Sequence, residues 1–200
     1  MPRTWIPACA GMTSGVDEMT DDIWTGETVI TTHRLILRSF RREDLAHYNA
    51  LGQDPVVMRF LGGVWSEEKT LEAAQGANQS LIENGYGFLA VERRSDGLFL
   101  GISGLSVEQW YPDDLQVGWR LFQQHWGHGY ASEAGRAWLD FAFARAGRER
   151  IISMADTPNH RSIAVMRRLG MTFDHEARLR DGDDEFDATI YAITRAAWQP

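Results

Sequence analysis

Residues 115 to 145 read as a strand, a glycine turn and a helix, and this order restricts the fold more than any other stretch. Leu115-Gln116-Val117-Gly118-Trp119-Arg120-Leu121 is a short β-rich run. A polar loop leads from it into Gly127-His128-Gly129, and from about Tyr130 to Arg145 Ala131, Ala134, Trp138, Phe141 and Ala142 recur at helical spacing. The free N–H groups and the dipole at the start of such a helix favour an anion. Glycines at 127 and 129 let the backbone turn sharply and approach phosphate oxygens with no side chain in the way. A pyrophosphate suits that corner, although a glycine turn with no ligand is the plainer reading of these residues taken alone.

The flanking segments supply further strands and helices. Arg34-Leu35-Ile36-Leu37-Arg38 is β-rich, and Leu45, Tyr48 and Leu51 behind it have helical spacing. Ser66 can cap a second helix, with Glu67 and Glu68 in its first turn, a stripe of Leu71, Ala74, Asn78, Leu81 and Ile82, and a stop at Asn84-Gly85. Phe88 to Glu92 and Phe99 to Leu105 form a hairpin around Ser95-Asp96-Gly97. Arg150 to Met154 reads as a strand, and Thr157-Pro158-Asn159 opens a helix with Ser162, Val165, Met166 and Leu169 on one side, ended by Gly170. Met171 to Leu179 and Glu185 to Ile193 close the chain as a hairpin around Asp181-Gly182-Asp183-Asp184.

A length of 200 residues suffices for one sizeable core, so one domain over residues 27–200 is expected. The formal net charge of -8 repels polyphosphate backbones over any broad face, which argues against nucleic acid as a partner. An anion must be held locally. Cys9 is the single cysteine and fits a reducing, cytoplasmic setting. No apolar run reaches the roughly 18 residues of a membrane span, so a soluble protein is expected. Residues 1–26 include Trp5-Ile6-Pro7-Ala8-Cys9-Ala10-Gly11-Met12, too short and too broken for the apolar region of a signal peptide. They read as a loose tail, with Met12 or Met19 as alternative starts.

Gln124-x-x-Gly127-x-Gly129 matches the phosphate-loop pattern Gln/Arg-x-x-Gly-x-Gly/Ala of the GNAT superfamily of N-acetyltransferases, which the chain resembles from about His33 to Trp198. A second motif, Asn159-His160-Arg161-Ser162 through Leu169-Gly170-Met171, is similar to the Asn-x-x-Ser…Leu-Gly-Phe segment of the RimJ/RimL-like branch. The resemblance implies an α+β fold, with a mixed, strongly twisted sheet of six or seven strands flanked by about four helices. Two central parallel strands would splay to admit the pantetheine arm of acetyl-coenzyme A, a cosubstrate used without a metal. Gln116, Val117, Gly118 and Trp119 would line that arm, with backbone groups pairing to its amides. Gln124, Gly127, His128, Gly129, Tyr130 and Ala131 would hold the pyrophosphate, and Asn159 would bind the pantetheine. The implied reaction moves acetyl to a primary amine, of a protein N-terminus or a small molecule, by direct attack in a ternary complex. A homodimer is a further expectation at the family level.

Two proton steps remain. Many relatives place a sulfur-protonating tyrosine where this chain has Met166; Ser162, a serine of the RimJ/RimL-like branch, is the substitute, against a local hydrogen bond within its own helix. Relatives also often carry a glutamate at the position of Gln116, which cannot act as a base. Glu108, Asp113 and Asp114, just before that strand, are the candidates, against the plainer reading that they solvate a loop. Tyr191 either orients substrate or fills core. With Met166 and Gln116 replacing the usual acid and base, a coenzyme A-binding sensor without turnover is the alternative function.

Three other patterns fall short. His125-x-x-His128 has no third metal ligand nearby, and Asp181, Asp183, Glu185 and Asp187 lack the order of an EF-hand loop. Gly127-x-Gly129-x-x-Ser132 lacks the third glycine of a dinucleotide fingerprint and follows a hairpin. Trp65 and Trp110 fall on loops where a pocket wall is expected.

Overall fold

The computed structural model describes residues 23–182 and 184–199, so the expectations for the first 22 residues and for Asp183 lie outside it. Its strands are β1 (Thr28–Thr31), β2 (Leu35–Arg38), β3 (Phe88–Arg93), β4 (Phe99–Glu108), β5 (Tyr111–Leu121), β6 (Arg150–Asp156), β7 (Thr172–Asp181) and β8 (Asp184–Thr194). Its α-helices are α1 (Asp44–Gln53), α2 (Glu67–Asn84), α3 (Tyr130–Ala144) and α4 (His160–Arg168). Among the described residues one sheet runs β1-β2-β3-β4-β5-β6-β8-β7, and only β5 and β6 pair in parallel. The sheet therefore has eight strands rather than six or seven. The unexpected one is β1, a half-exposed edge strand whose four residues gain their conformation by pairing with β2.

Alternation along the strands divides the core. Leu89, Val91, Leu105 and Val117 pack with Ala134, Trp138, Val165 and Met166 of α3 and α4, while Phe88, Ala90 and Ile102 pack with Tyr48, Leu51, Ala74 and Ala77 of α1 and α2. Ser66 caps α2 as expected, its hydroxyl accepting from the Lys69 amide at 3.2 Å, and Gly85 ends that helix at φ 78°. The buried face of α2 differs from the expected stripe: Thr70, Ala74, Ala77 and Asn78 face inward, while Leu71 and Ile82 are 39% and 64% exposed. Asn78 is admitted there because its amide accepts from Phe40 N at 2.7 Å and donates to Phe40 O at 3.0 Å. Arg38, 2% exposed, ties three elements together by donating to both oxygens of Asp44 on α1 and to Glu92 on β3.

The feature that positions the site is the parallel pair. Its register covers only Leu115↔Ile151 and Gln116↔Ile152. Beyond those pairs the two strands part, leaving the edge of β5 from Val117 onward and that of β6 from Ser153 onward without each other as partners.

Candidate functional site

A cleft of about 2660 Å³ opens where β5 and β6 part. That is well above the roughly 300–1,000 Å³ of a pocket for one small ligand. Gly118, Trp119, Gly127, Gly129, Tyr130, Ala131, Asn159 and Ser162 all line it, and so does Glu108. Gln116, Val117, Gln124 and His128, expected with them, do not. Val117 turns its side chain into the core with α3, Gln116 is 1% exposed behind Glu108, and Gln124 and His128 are exposed at the loop surface.

The glycine loop is held from both ends. After β5 comes a short 3-10 helix, Gln123–His125, and the indole of Trp126 donates to Leu121 O at 2.8 Å. Gly127 and Gly129 both have φ +80°, a left-handed conformation that other residues adopt at a cost. Gly129 is the N-cap of α3, so no side chain caps the first amides of that helix. A Cβ added at Gly127 would meet nothing within 4 Å, which leaves the approach to those amides open. Ser132, in the first turn of α3, lines the cleft with its hydroxyl buried and without a protein partner. Arg161 and Arg168 line the same cleft and have no carboxylate partner among the described residues; Arg161 stacks over the Trp126 ring at 4.8 Å. None of these three residues was given a binding role from the sequence, although Ser132 and Arg161 fall inside patterns read there. The two arginines, seven residues apart and so two turns along one face of α4, carried the available signal.

Glu133 clamps the loop to the start of the sheet. One of its oxygens accepts from the Thr32 hydroxyl at 2.6 Å and from Arg34 N at 2.8 Å, and the other accepts from Arg34 Nε at 2.6 Å. Arg34 in turn donates to His128 O at 3.0 Å and lies over the Tyr130 ring. Burial works to raise the Glu133 carboxyl, but the hydrogen bonds from Thr32 and Arg34 outweigh it and hold the group below the usual carboxylate range. A lowered group stabilises the fold above its unfolded pKa and loses that contribution as pH falls. Glu133→Ala is expected to destabilise by about 2 kcal/mol at pH 7, a melting point about 4–8 °C lower, with the difference from wild type shrinking toward pH 4 in thermal scans.

Glu108 does not sit on a solvated loop. It is the last residue of β4, where a bulge between Val107 and Glu108 alters the register, and it is 3% exposed. It accepts from the Ser106 hydroxyl at 2.5 Å and from Gln116 Nε2 at 3.2 Å, so a carboxylate stands directly against Gln116. Burial, opposed by the Ser106 bond and aided by the charge of Asp181, pushes its carboxyl up to about 7. The other two acids separate from it. Asp114 is bound to Arg150, and Asp113 is exposed on β5.

Ser162, the acid expected near the sulfur, lines the cleft in the first turn of α4. The Asn159 side chain accepts from Ser162 N at 3.2 Å, which fixes the first turn of α4, and the Ser162 hydroxyl has no partner among the described residues. It is not absorbed by its own helix. Met166, one turn on, is fully buried in the core. Tyr191 is 5% exposed, with its hydroxyl accepting from Arg167 Nε at 2.9 Å, which makes it a core residue. Trp110 does form cleft wall, held by Arg180 O at 2.9 Å, whereas Trp65 is 4% exposed in the core. Among the described residues no cluster of metal-ligand type occurs, and Glu185 and Asp187 of the acidic hairpin meet Arg178 instead.

Among the described residues, then, a mixed sheet parts at its one parallel pair beside a helix start that no side chain caps. Residues 34–172 match the family model described as an acetyltransferase (GNAT) domain, and the chain belongs to that family. It is 31% identical over 157 residues to the uncharacterized protein YkkB of Bacillus subtilis, covering 76% of this chain and 90% of that one. An acetyltransferase structure from Agrobacterium tumefaciens superposes with a TM-score of 0.72 at 25% identity, covering 92% of this chain and 100% of that one. The fold is shared as well with RimL, a ribosomal L7/L12 alpha-N-protein acetyltransferase solved with coenzyme A, at a TM-score of 0.71 and 20% identity over 86% of this chain and 99% of that one.

Proposed function

We propose that this chain transfers an acetyl group from acetyl-coenzyme A to a primary amine. The observation that carries the reading is the parting of β5 from β6 beside the uncapped start of α3. Amides from Gly127 to Ala131 hold the diphosphate, joined by the Ser132 hydroxyl, with Arg161 and Arg168 as the neighbouring cations. Gln124 and His128 support this loop from outside. The free edge of β5 at Val117, Gly118 and Trp119 pairs with the amides of the pantetheine arm, and Asn159 meets the arm from the α4 side.

Acetyl-coenzyme A supplies an activated carbonyl. Glu108 takes a proton from the incoming ammonium, the amine nitrogen bonds to the acetyl carbon, and the carbon–sulfur bond breaks. Ser162 donates a proton to the departing sulfur and regains, through water, the second proton that the nitrogen sheds as the amide forms, while Glu108 passes the first to solvent. Gln116 holds Glu108 in place. That contact supports turnover over the sensor alternative, because the carboxylate missing at position 116 is supplied from β4. The acceptor is the amine of a protein N-terminus or of a small molecule, and the motif from Asn159 to Met171 supports the RimJ/RimL-like branch.

Thiol release from acetyl-coenzyme A, measured against peptides and small amines, tests the reading: turnover with any acceptor is expected, and tight binding with none would favour the sensor. Ser162→Ala is expected to lower kcat about a hundredfold with coenzyme A affinity little changed. An undiminished kcat would remove Ser162 from the reaction.

A further inference from the structure

Gln116, Gly118 and Arg120 succeed one another on the face of β5 turned toward α1 and α2, opposite Ser106, Gly104 and Ile102 of β4. Arg120 is 8% exposed and lines the cleft. Its guanidinium meets no carboxylate among the described residues. Nη2 donates to the Tyr48 hydroxyl at 3.0 Å, Nη1 reaches Met58 Sδ at 3.1 Å, and the Trp65 ring lies 4.1 Å from the guanidinium carbon. A hydroxyl, a thioether and a ring face orient a cation without neutralising it. Arg38 shows the contrast: also buried, it meets Asp44 and Glu92.

The opposite end of this face carries carboxyl groups, since Glu108 and Asp181 both line the cleft there, with Lys69 near enough to Asp181 to interact with its charge. The Phe88 ring packs against Gly118 between the two ends and gives the passage an apolar floor. On this reading of the chain as an acetyltransferase, we infer that the acceptor is a small amine that also carries a carboxylate, with the amine at Glu108 and the carboxylate on Arg120. Positions 116 and 120 of a strand stand about 13 Å apart, which suits an amine and a carboxylate separated by several bonds. The rigid guanidinium fork matches a carboxylate in two-point contact.

Matched acceptors test this directly: amino acids with about two to six carbons between the groups, the alkylamines of the same length, and the corresponding carboxamides. At the best length the carboxylate member is expected to have a kcat/KM about ten to a hundred times that of its partners, expressed in KM. Arg120→Gln should reduce that preference to about twofold, and Arg120→Lys, which keeps the charge without the fork, should lower it about tenfold if the first variant does not fold. Equal use of amines and amino acids, or a preference left undiminished by either substitution, would overturn the inference and leave acetyl transfer standing. Better turnover of peptide N-termini than of every amino acid would do the same. Coenzyme A binding with no turnover of any acceptor would remove both.

Discussion

Glu108→Gln is expected to lower kcat by about 10²- to 10⁴-fold and to remove the pH dependence of the remaining rate near neutrality. The native carboxyl is pushed up to about 7 by burial, against the pull of the Ser106 hydroxyl and with help from Asp181. A base must be ionised, so the wild-type rate should climb with pH through about 7 and level off above it. Stability should run the other way. The folded group holds its proton more tightly than the unfolded one, near 4.5, so the stabilisation is complete below that pH and is lost as pH rises through about 7. Glutamine carries no charge at any pH, which makes the variant the more stable protein at pH 8, by up to about 3 kcal/mol. Thermal melts from pH 5 to 8 should show the wild type falling while the variant stays level. Wild-type kcat in the variant at pH 8 would remove Glu108 from the reaction, and a fall in activity and melting point together would assign it a packing role instead.

What the sequence made legible was local. The loop from Gln124 to Ala131 and helix α3 were readable because two glycines and an apolar period lie within one short stretch, and both occupy the expected places. The hairpin around Asp96-Gly97 and the α2 limits at Ser66 and Gly85 were readable for the same reason. The face of β5 that carries Gln116 and Arg120 was less so. Its alternation puts Gln116 and Arg120 on one side, but Tyr48, Met58 and Trp65 reach Arg120 from other elements, and no local pattern signals that meeting. Glu108 was placed on a loop because a bulge, set by pairing with β5, decides its direction. The Glu133 clamp joins residues 99 positions apart in the chain, and its hydrogen bonds exist only once β2 and α3 have packed. The eighth strand was missed because β1 has four half-exposed residues and little pattern of its own.

Gly129→Asp is expected to keep the fold and weaken coenzyme A binding by about ten- to a hundredfold. The backbone there has φ +80°, which aspartate tolerates better than most side chains, at a cost of about 1–2 kcal/mol. Among the described residues an added Cβ would meet within 4 Å just Arg34 Nη2, at 3.4 Å, the tip of a half-exposed side chain that can yield. The new carboxylate stands at the start of α3, where the helix dipole favours it by about 0.3–1 kcal/mol, so part of the backbone cost is offset. Arg34 draws on it only weakly, being already engaged by Glu133 and His128 O. The amides that should receive the diphosphate then face an anion already in place, and one or two charge-assisted hydrogen bonds are lost to it. Gly129→Ala carries at least that backbone cost without the charge, and its affinity should fall only severalfold. Calorimetry on both variants separates the two effects. If aspartate binds coenzyme A as well as alanine does, the diphosphate does not rest on α3, and the gap between β5 and β6 no longer has an anchored cosubstrate to fill it.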